Sequence, residues 1–310
     1  MDQNPKEHPI FEGISIGVGT WAWGDRLYWG YGQGYAAEDV RDAFQASLDQ
    51  GIQFFDTAEA YGRGKSEKLL GEFVKATDTP VHIASKFMPF PWRLQKGSLL
   101  RALRHSLERL QLPSIDLYQI HFPIPPVTVE TWMNAMAEAF QAGLIRAVGV
   151  SNYSRQQTQR AADALLRQGI QLASNQLEYS LLNRQIEFNG VLDECKQRGV
   201  KVIAYSPLAQ GLLTGKYTPE NPPTGFRARK VDLKELKPLL STMKKIGDAH
   251  DGKTPAQVAI NWTICKGTLP IPGAKSANQA IANAGGTGWA LTDEEVETLD
   301  LVSLKHNIKT

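Results

Sequence analysis

The chain has little cysteine: two residues in 310, Cys195 and Cys265, widely separated. A disulfide-stapled framework is excluded, and two reduced thiols in a cytoplasmic protein are expected. Neither sign of charge dominates. Thirty-four Lys and Arg face 32 Asp and Glu, for a net charge of +2, which offers nothing to a nucleic acid or a membrane surface. No apolar run approaches the roughly 18 residues of a membrane-spanning helix, so no membrane partner is expected. Residues 1–8 hold neither an apolar stretch nor an Arg/Ser-rich amphipathic pattern, so no signal or transit peptide is expected. Two phosphate-binding patterns start and fail. Gly17-Val18-Gly19 opens like a dinucleotide fingerprint but continues as Thr20-Trp21-Ala22, without the third glycine. Gly64-Lys65-Ser66 resembles the end of a P-loop, but Glu59 stands where its first glycine is required.

What is present is an alternation of apolar runs with amphipathic stretches. Strands are expected over 14–20, 52–57, 81–86, 114–121, 145–150, 172–177, 201–205 and 268–271. Between them the apolar spacing predicts helices over 37–50, 66–75, 98–110, 128–142, 155–167, 191–198, 236–250, 255–266 and 278–284. Gly143, Gly169 and Gly199 follow three of these helices, as helix-ending glycines do. Thr292-Asp293-Glu294-Glu295 starts a last helix in capping-box style. Eight strands in βα alternation fit a parallel sheet with helices outside. A doubly wound sheet and a closed barrel both satisfy the pattern. Even spacing and the lack of a linker favour one (β/α)8 TIM barrel domain over 1–310. Two long loops, about 21–36 and 207–229, each follow a strand, and loops of that length are usually functional.

Polar residues punctuate the strand ends: Asp56, Lys86, His121, Ser151-Asn152, Gln176, Tyr205-Ser206, and beyond the last strand Lys275-Ser276. In a barrel these ends converge on one face. Each has an ordinary alternative role as a cap or turn residue. Together, Asp56, Lys86 and His121, with Tyr61 just beyond Asp56, form a proton-donor set. A phenol is a poor acid at neutral pH unless a cation lowers its pKa. Lys86 is expected to do so, held by Asp56, while His121 orients an oxygen that gains negative charge. No further carboxylates sit at strand ends, so no metal site is expected.

At this point the sequence resembles the aldo-keto reductase family. The resemblance rests on Phe55-Asp56-Thr57-Ala58-Glu59-Ala60-Tyr61-Gly62, Ser66-Glu67-Lys68-Leu69-Leu70-Gly71, Lys86, Gln119-Ile120-His121, Val148-Gly149-Val150-Ser151-Asn152 and Ile271-Pro272-Gly273-Ala274-Lys275-Ser276, all in order. It implies a (β/α)8 barrel with catalytic Asp56, Tyr61, Lys86 and His121, reducing a small-molecule carbonyl substrate with NADPH, which leaves as NADP+. The dinucleotide would lie across the barrel mouth rather than in a Rossmann half. Gly19, Thr20 and Trp21 would border it. Ser151, Asn152 and Gln176 would bond the carboxamide, and Tyr205 would stack on the nicotinamide. Ser206, Leu208, Gln210, Gly211, Gly215 and Lys216 would cover the pyrophosphate. Lys275 and Ser276 would take the 2′-phosphate, with Gly273 among the cofactor contacts and Gln279 and Asn283 facing the adenine. Many family members carry arginine near 275 or 279; lysine binds phosphate as a point charge rather than a fork. Gly19-Thr20-Trp21-Ala22-Trp23-Gly24 and Trp29-Gly30-Tyr31 are similar to the plant and cyanobacterial branch that includes pyridoxal reductases.

The first long loop holds Trp21, Trp23, Tyr28, Trp29 and Tyr31, and the loop after the third strand holds Phe87, Phe90 and Trp92. They point to an apolar pocket, with Trp23, Trp29, Phe87 and Trp92 as substrate contacts. The alternative is that these loops pack against themselves. Arg26 and Arg93 are the charges placed to meet an acidic substrate. Two other function classes compete: a nicotinamide-binding regulatory subunit with little turnover, and a barrel hydrolase or lyase using Asp56 and His121. The sequence does not separate a monomer from a small homo-oligomer.

Overall fold

A computed structural model describes residues 6–218, 221–223 and 233–307. Among the described residues the strands are eight: β1 (Gly17–Gly19), β2 (Phe54–Asp56), β3 (His82–Phe87), β4 (Ile115–Ile120), β5 (Ile145–Ser151), β6 (Leu172–Glu178), β7 (Lys201–Tyr205) and β8 (Leu269–Pro270). The α-helices among the described residues are α1 (Ala37–Asp49), α2 (Lys65–Lys75), α3 (Lys96–Leu110), α4 (Val129–Gln141), α5 (Arg155–Leu166), α6 (Gln185–Phe188), α7 (Val191–Gln197), α8 (Leu233–Ala249), α9 (Pro255–Cys265), α10 (Ala277–Ala284) and α11 (Asp293–Ser303). Every strand pairs in parallel with its sequence neighbour, in the order β1 to β8. An isolated parallel bridge between Gly19 and Gly273 joins β1 to the end of β8, supported by Gly19 N donating to Pro272 O at 3.1 Å. The barrel expected from the alternation is the barrel that forms.

Capping fixes several helix starts. Ser154, Thr254 and Thr292 each accept the N3 amide while Gln157, Gln257 and Glu295 reach back to the cap. The capping box read at Thr292 is therefore present. Gly143 and Gly169 take φ of 70° and 71°, left-handed values that end α4 and α5 cheaply only for glycine. β1 and β8 are shorter than the spans 14–20 and 268–271, because few of their residues find ladder partners. The short α6 was not expected. It follows Arg184, whose guanidinium donates to Asp300 O at 2.6 Å and whose amide donates to Asn307 Oδ1 at 2.6 Å. That contact is tertiary and leaves no local pattern. Of the expected loop 207–229, residues 219–220 and 224–229 lie outside the described residues. No helix among the described residues is long and apolar enough to cross a membrane.

The core has two parts. A large one fills the space between strands and helices. A small one lies inside the barrel: Phe54, Ala84, Leu117, Ala147, Ile203 and Leu269, closed by Phe11, whose ring lies 6.2 Å from that of Phe54. Side chains two apart on a strand share a face. The next inward layer is therefore Asp56, Lys86, Gln119, Gly149 and Tyr205. The barrel is apolar near its strand starts and polar near its mouth. Gly149 makes room in that layer. A Cβ there would meet Ser174 Oγ and come within 2.8 Å of Gln119 Cγ. Gly149→Ala is expected to lower stability by about 1–3 kcal/mol through overpacking. Urea unfolding measures this, and a midpoint equal to the parent's would show that Gln119 does not need the space.

Candidate active site

The centre of the barrel mouth is a buried ion pair. Lys86 Nζ donates to Asp56 Oδ1 at 2.5 Å, to Thr57 O at 2.9 Å and to the Tyr61 hydroxyl at 3.3 Å. Lys86 is fully buried and Asp56 is 1% exposed. Asp56 Oδ2 accepts from Gln176 Nε2 at 2.7 Å and Gln119 Nε2 at 3.3 Å. Both charges are thus hydrogen-bonded on every side that matters, the condition for keeping an ion pair out of water. Burial pulls the Lys86 ammonium down, but Asp56 and Tyr61 outweigh it and its pKa rises. Lys86 therefore stays charged.

Tyr61 corrects one expectation. Burial pushes its phenol up, Lys86 pulls it down and Asp56 pushes it up, and the net direction is upward. The cation moderates the rise rather than producing a low pKa. Tyr61 holds its proton at neutral pH, with the Lys86 ammonium 3.3 Å from its oxygen. The His121 ring meets Tyr61 edge-on, centroids 5.8 Å apart. Burial, with help from Lys86, lowers the His121 pKa to about 3, so the ring is neutral. Its Nδ1 has no hydrogen-bond partner among the described residues. An orphaned buried N–H is the costlier arrangement, so the proton is assigned to Nε2, making that nitrogen a donor.

The expected carboxamide and nicotinamide residues form one connected group. Tyr205 donates its hydroxyl to Asn152 Oδ1 at 3.0 Å, Asn152 Nδ2 donates to His121 O at 3.1 Å, and Ser151 Oγ donates to Gln176 O at 2.9 Å. Asn152 and Ser206 sit at positive φ, 61° and 54°, turning the chain at the strand ends. Gln176 links this group to Asp56. After β7 the backbone is left-handed at Ala209, Gln210 and Gly211, with φ of 46°, 56° and 96°, and again at Gly215. Such backbone builds concavities that suit phosphate. Leu208 is half-buried at its start, and Lys216 Nζ lies over the Tyr217 ring at 4.8 Å. Beyond β8, Lys275 precedes Ser276, the N-cap of α10, whose hydroxyl makes no capping bond among the described residues. A cation beside an open helix N-terminus fits a phosphate. Gln279 Oε1 accepts from Lys275 N at 2.8 Å, and the buried Asn283 donates to Gly273 O at 3.3 Å. These two side chains shape the 273–275 turn. Gln210 also has a partner the sequence did not indicate: its Oε1 accepts from the Tyr28 hydroxyl at 2.6 Å, bridging the two long loops. Together these features fit a phosphorylated dinucleotide lying along the mouth.

Several expected contacts are corrected. Trp23 is fully buried, packed on Phe55 and Phe73, with its indole N–H donated to Ala274 O at 2.8 Å. Phe87 is also fully buried, against Trp132. Neither side chain reaches a substrate; both pack the outer core. Thr20 is buried too: its hydroxyl bonds Asp56 O at 3.0 Å and Ser66 Oγ at 2.7 Å. Ser66 also accepts from Thr57 Oγ1 at 2.9 Å, so this hydroxyl cluster braces the segment that carries Asp56 and the Thr57 carbonyl. Arg93 donates to Glu59 and Met88 O, and its guanidinium lies over Phe87 and Phe90. It is a structural ion pair rather than a receptor for an acidic substrate. Trp92 is 75% exposed and stacks on Phe90 at the rim. Trp21 lines the mouth: it stacks on Tyr28 at 4.9 Å, meets Trp29 edge-on at 5.5 Å and lies 6.2 Å from the Tyr61 ring. Gln119 and Thr57 had no assigned role. Gln119, on β4 and two residues before His121, was within reach of pattern reading.

A barrel whose mouth joins a buried lysine–aspartate pair to a phenol and a neutral imidazole, with left-handed backbone and a lysine beside a helix start at its rim, fits an oxidoreductase site. The sequence profile of the Aldo/keto reductase family matches residues 15–303, and the chain belongs to that family. It is 42% identical over 296 residues to the chloroplastic pyridoxal reductase of Arabidopsis thaliana, covering 90% of this chain and 80% of that protein. A solved glycerol dehydrogenase from Gluconobacter oxydans superposes with a TM-score of 0.84 at 26% identity, covering 99% of this chain and 97% of its own. An aldo-keto reductase from Klebsiella pneumoniae, solved with NADPH, superposes with a TM-score of 0.76 at 29% identity, covering 98% and 96%.

A pH dependence follows. His121 titrates near 3 when folded against 6.5 as an ordinary group. Between those values the unfolded chain holds the extra proton, so stability rises with pH across the window and is lost as pH falls from about 6.5 towards 3. His121→Asn is expected to flatten the decline in melting temperature between pH 6.5 and 4 relative to the parent. Parallel curves would contradict a buried neutral His121.

Proposed function

We propose that the protein reduces aldehydes or ketones to alcohols with NADPH, with Tyr61 as the proton donor. The observation that carries this reading is the Tyr61 hydroxyl, 3.3 Å from the ammonium of a lysine that is itself locked to a buried carboxylate. Bound NADPH supplies a hydride to the carbonyl carbon. The oxygen of that carbonyl then gains negative charge. His121, neutral and donating through Nε2, orients the oxygen towards Tyr61. The phenol O–H bond breaks as the proton passes to the oxygen, and the Lys86 ammonium stabilises the phenolate left behind. Asp56 holds the ammonium, and Gln119 and Gln176 hold Asp56. Tyr61 regains its proton from solvent.

For the cofactor, Ser151, Asn152 and Gln176 would hold the carboxamide and Tyr205 the nicotinamide face. The strap from Ser206 to Lys216 would cover the pyrophosphate. Lys275 and the start of α10 would take the 2′-phosphate, favouring NADPH over NADH. The likeness to a reductase solved with NADPH supports this assignment. For the substrate, we favour a planar aromatic aldehyde. Trp21 lies beside Tyr61 and is backed by the stacked ring of Tyr28, and flat rings gain most against such a wall. The likeness to a pyridoxal reductase supports a substrate of the pyridoxal kind.

The test is NADPH consumption with pyridoxal, benzaldehyde and methylglyoxal, followed by ultraviolet absorbance. Tyr61→Phe is expected to bind NADPH nearly as the parent does and to turn over roughly 10²- to 10⁴-fold more slowly. Equal turnover in the variant would refute the donor assignment. Tight NADPH binding with no consumption by the parent would favour a cofactor-binding regulatory role.

A further inference from the structure

Lys275 is seated in aromatic rings. Its Nζ lies 4.6 Å from the Trp29 ring centroid and 4.5 Å from that of Tyr35, and it donates to Trp29 O at 3.3 Å. Two ring faces and a carbonyl thus surround one ammonium, at the turn that leads into α10. The seat has its own supports. The Tyr35 hydroxyl donates to Ala22 O at 2.6 Å, and Tyr31 meets the Tyr35 ring edge-on at 5.7 Å. Trp29 rests edge-on against Trp21, and its amide donates to Asp25 Oδ1 at 3.1 Å. These contacts hold both rings around the ammonium in the absence of any ligand.

A lysine on the open surface samples many rotamers and must surrender that freedom when an anion arrives. A seated ammonium has already surrendered it. Lysine also lacks the fixed fork of arginine, so its aim depends on its surroundings. Ring faces attract the cation without neutralising its charge.

We propose that Trp29 and Tyr35 are positioning residues that set the preference for NADPH over NADH by seating Lys275. The proposal rests on Lys275 as the 2′-phosphate partner, as read above. NADH presents no phosphate to this ammonium, so the seat should leave its binding unchanged.

The experiment is titration calorimetry of NADPH and NADH on the full chain and four variants. Tyr35→Phe retains the ring and is expected to retain the parent's NADPH-to-NADH affinity ratio. Tyr35→Leu and Trp29→Leu remove a face and are expected to lower the ratio roughly 5- to 30-fold, by weakening NADPH alone. Lys275→Met should abolish the preference. Tyr35→Ile replaces Tyr35→Leu should the latter fail to fold. Leucine variants that keep the parental ratio while Lys275→Met loses it would overturn the proposal and leave the phosphate reading standing. Leucine variants that weaken both dinucleotides equally would also overturn it, since that is loop packing alone. A parental ratio in Lys275→Met would overturn the phosphate reading and the proposal together.

Discussion

The Asp56–Lys86 ion pair is the constraint around which the mouth of the barrel is arranged. Two unit charges almost completely removed from water are tolerable only if their remaining donors and acceptors are met. The barrel meets them from several strands. β4 and β6 send Gln119 and Gln176 to one carboxylate oxygen, while Thr57 O and Tyr61 share the ammonium with the other. Gly149 exists in this layer because a side chain would intrude on Gln119. The hydroxyls of Thr20, Thr57 and Ser66 brace the segment behind Asp56. Burial makes the pair costly to break from one side. It also makes the pair's field strong at Tyr61, where a phenolate would need it.

Above that layer the two long loops divide the mouth. The loop over 21–36 brings Trp21 beside Tyr61, stacks Tyr28 on Trp21, and closes on Lys275 through Trp29 and Tyr35. The strap after β7 brings left-handed backbone to the same rim, and the Tyr28–Gln210 hydrogen bond ties the two loops together. Trp21 beside Tyr61 and the ammonium of Lys275 are therefore joined through one aromatic assembly.

Much of this was legible in the sequence. Asp56, Lys86, His121, Ser151, Gln176 and Tyr205 stood at the ends of apolar runs, and a parallel barrel forces such ends together. Helix stops and the Thr292 cap had local signals, and they formed as read. What failed was direction. Trp23 and Phe87 belong to the right segments but point outward into the helix layer, because composition reports aromatics without saying which way each faces. Arg93 found its carboxylate in Glu59, 34 residues back along the chain, a pairing that local spacing does not reveal. The acid strength of Tyr61 was misjudged because the cation was visible in sequence and the desolvation was not. Gln119 lies on the inward face of β4 with Leu117 and was open to detection by alternation; its partner Asp56 was not.

The most direct measurement is the turnover of a double variant, Asp56→Asn/Lys86→Met, which removes both buried charges together. Replacing a buried pair by neutral groups is often tolerated by a fold, whereas removing one partner is not. The account predicts a folded barrel that still binds NADPH and oxidises it with an aromatic aldehyde at least roughly 10²-fold more slowly than the parent. A folded variant with turnover close to the parent's would contradict it, and the ion pair would then serve the scaffold alone.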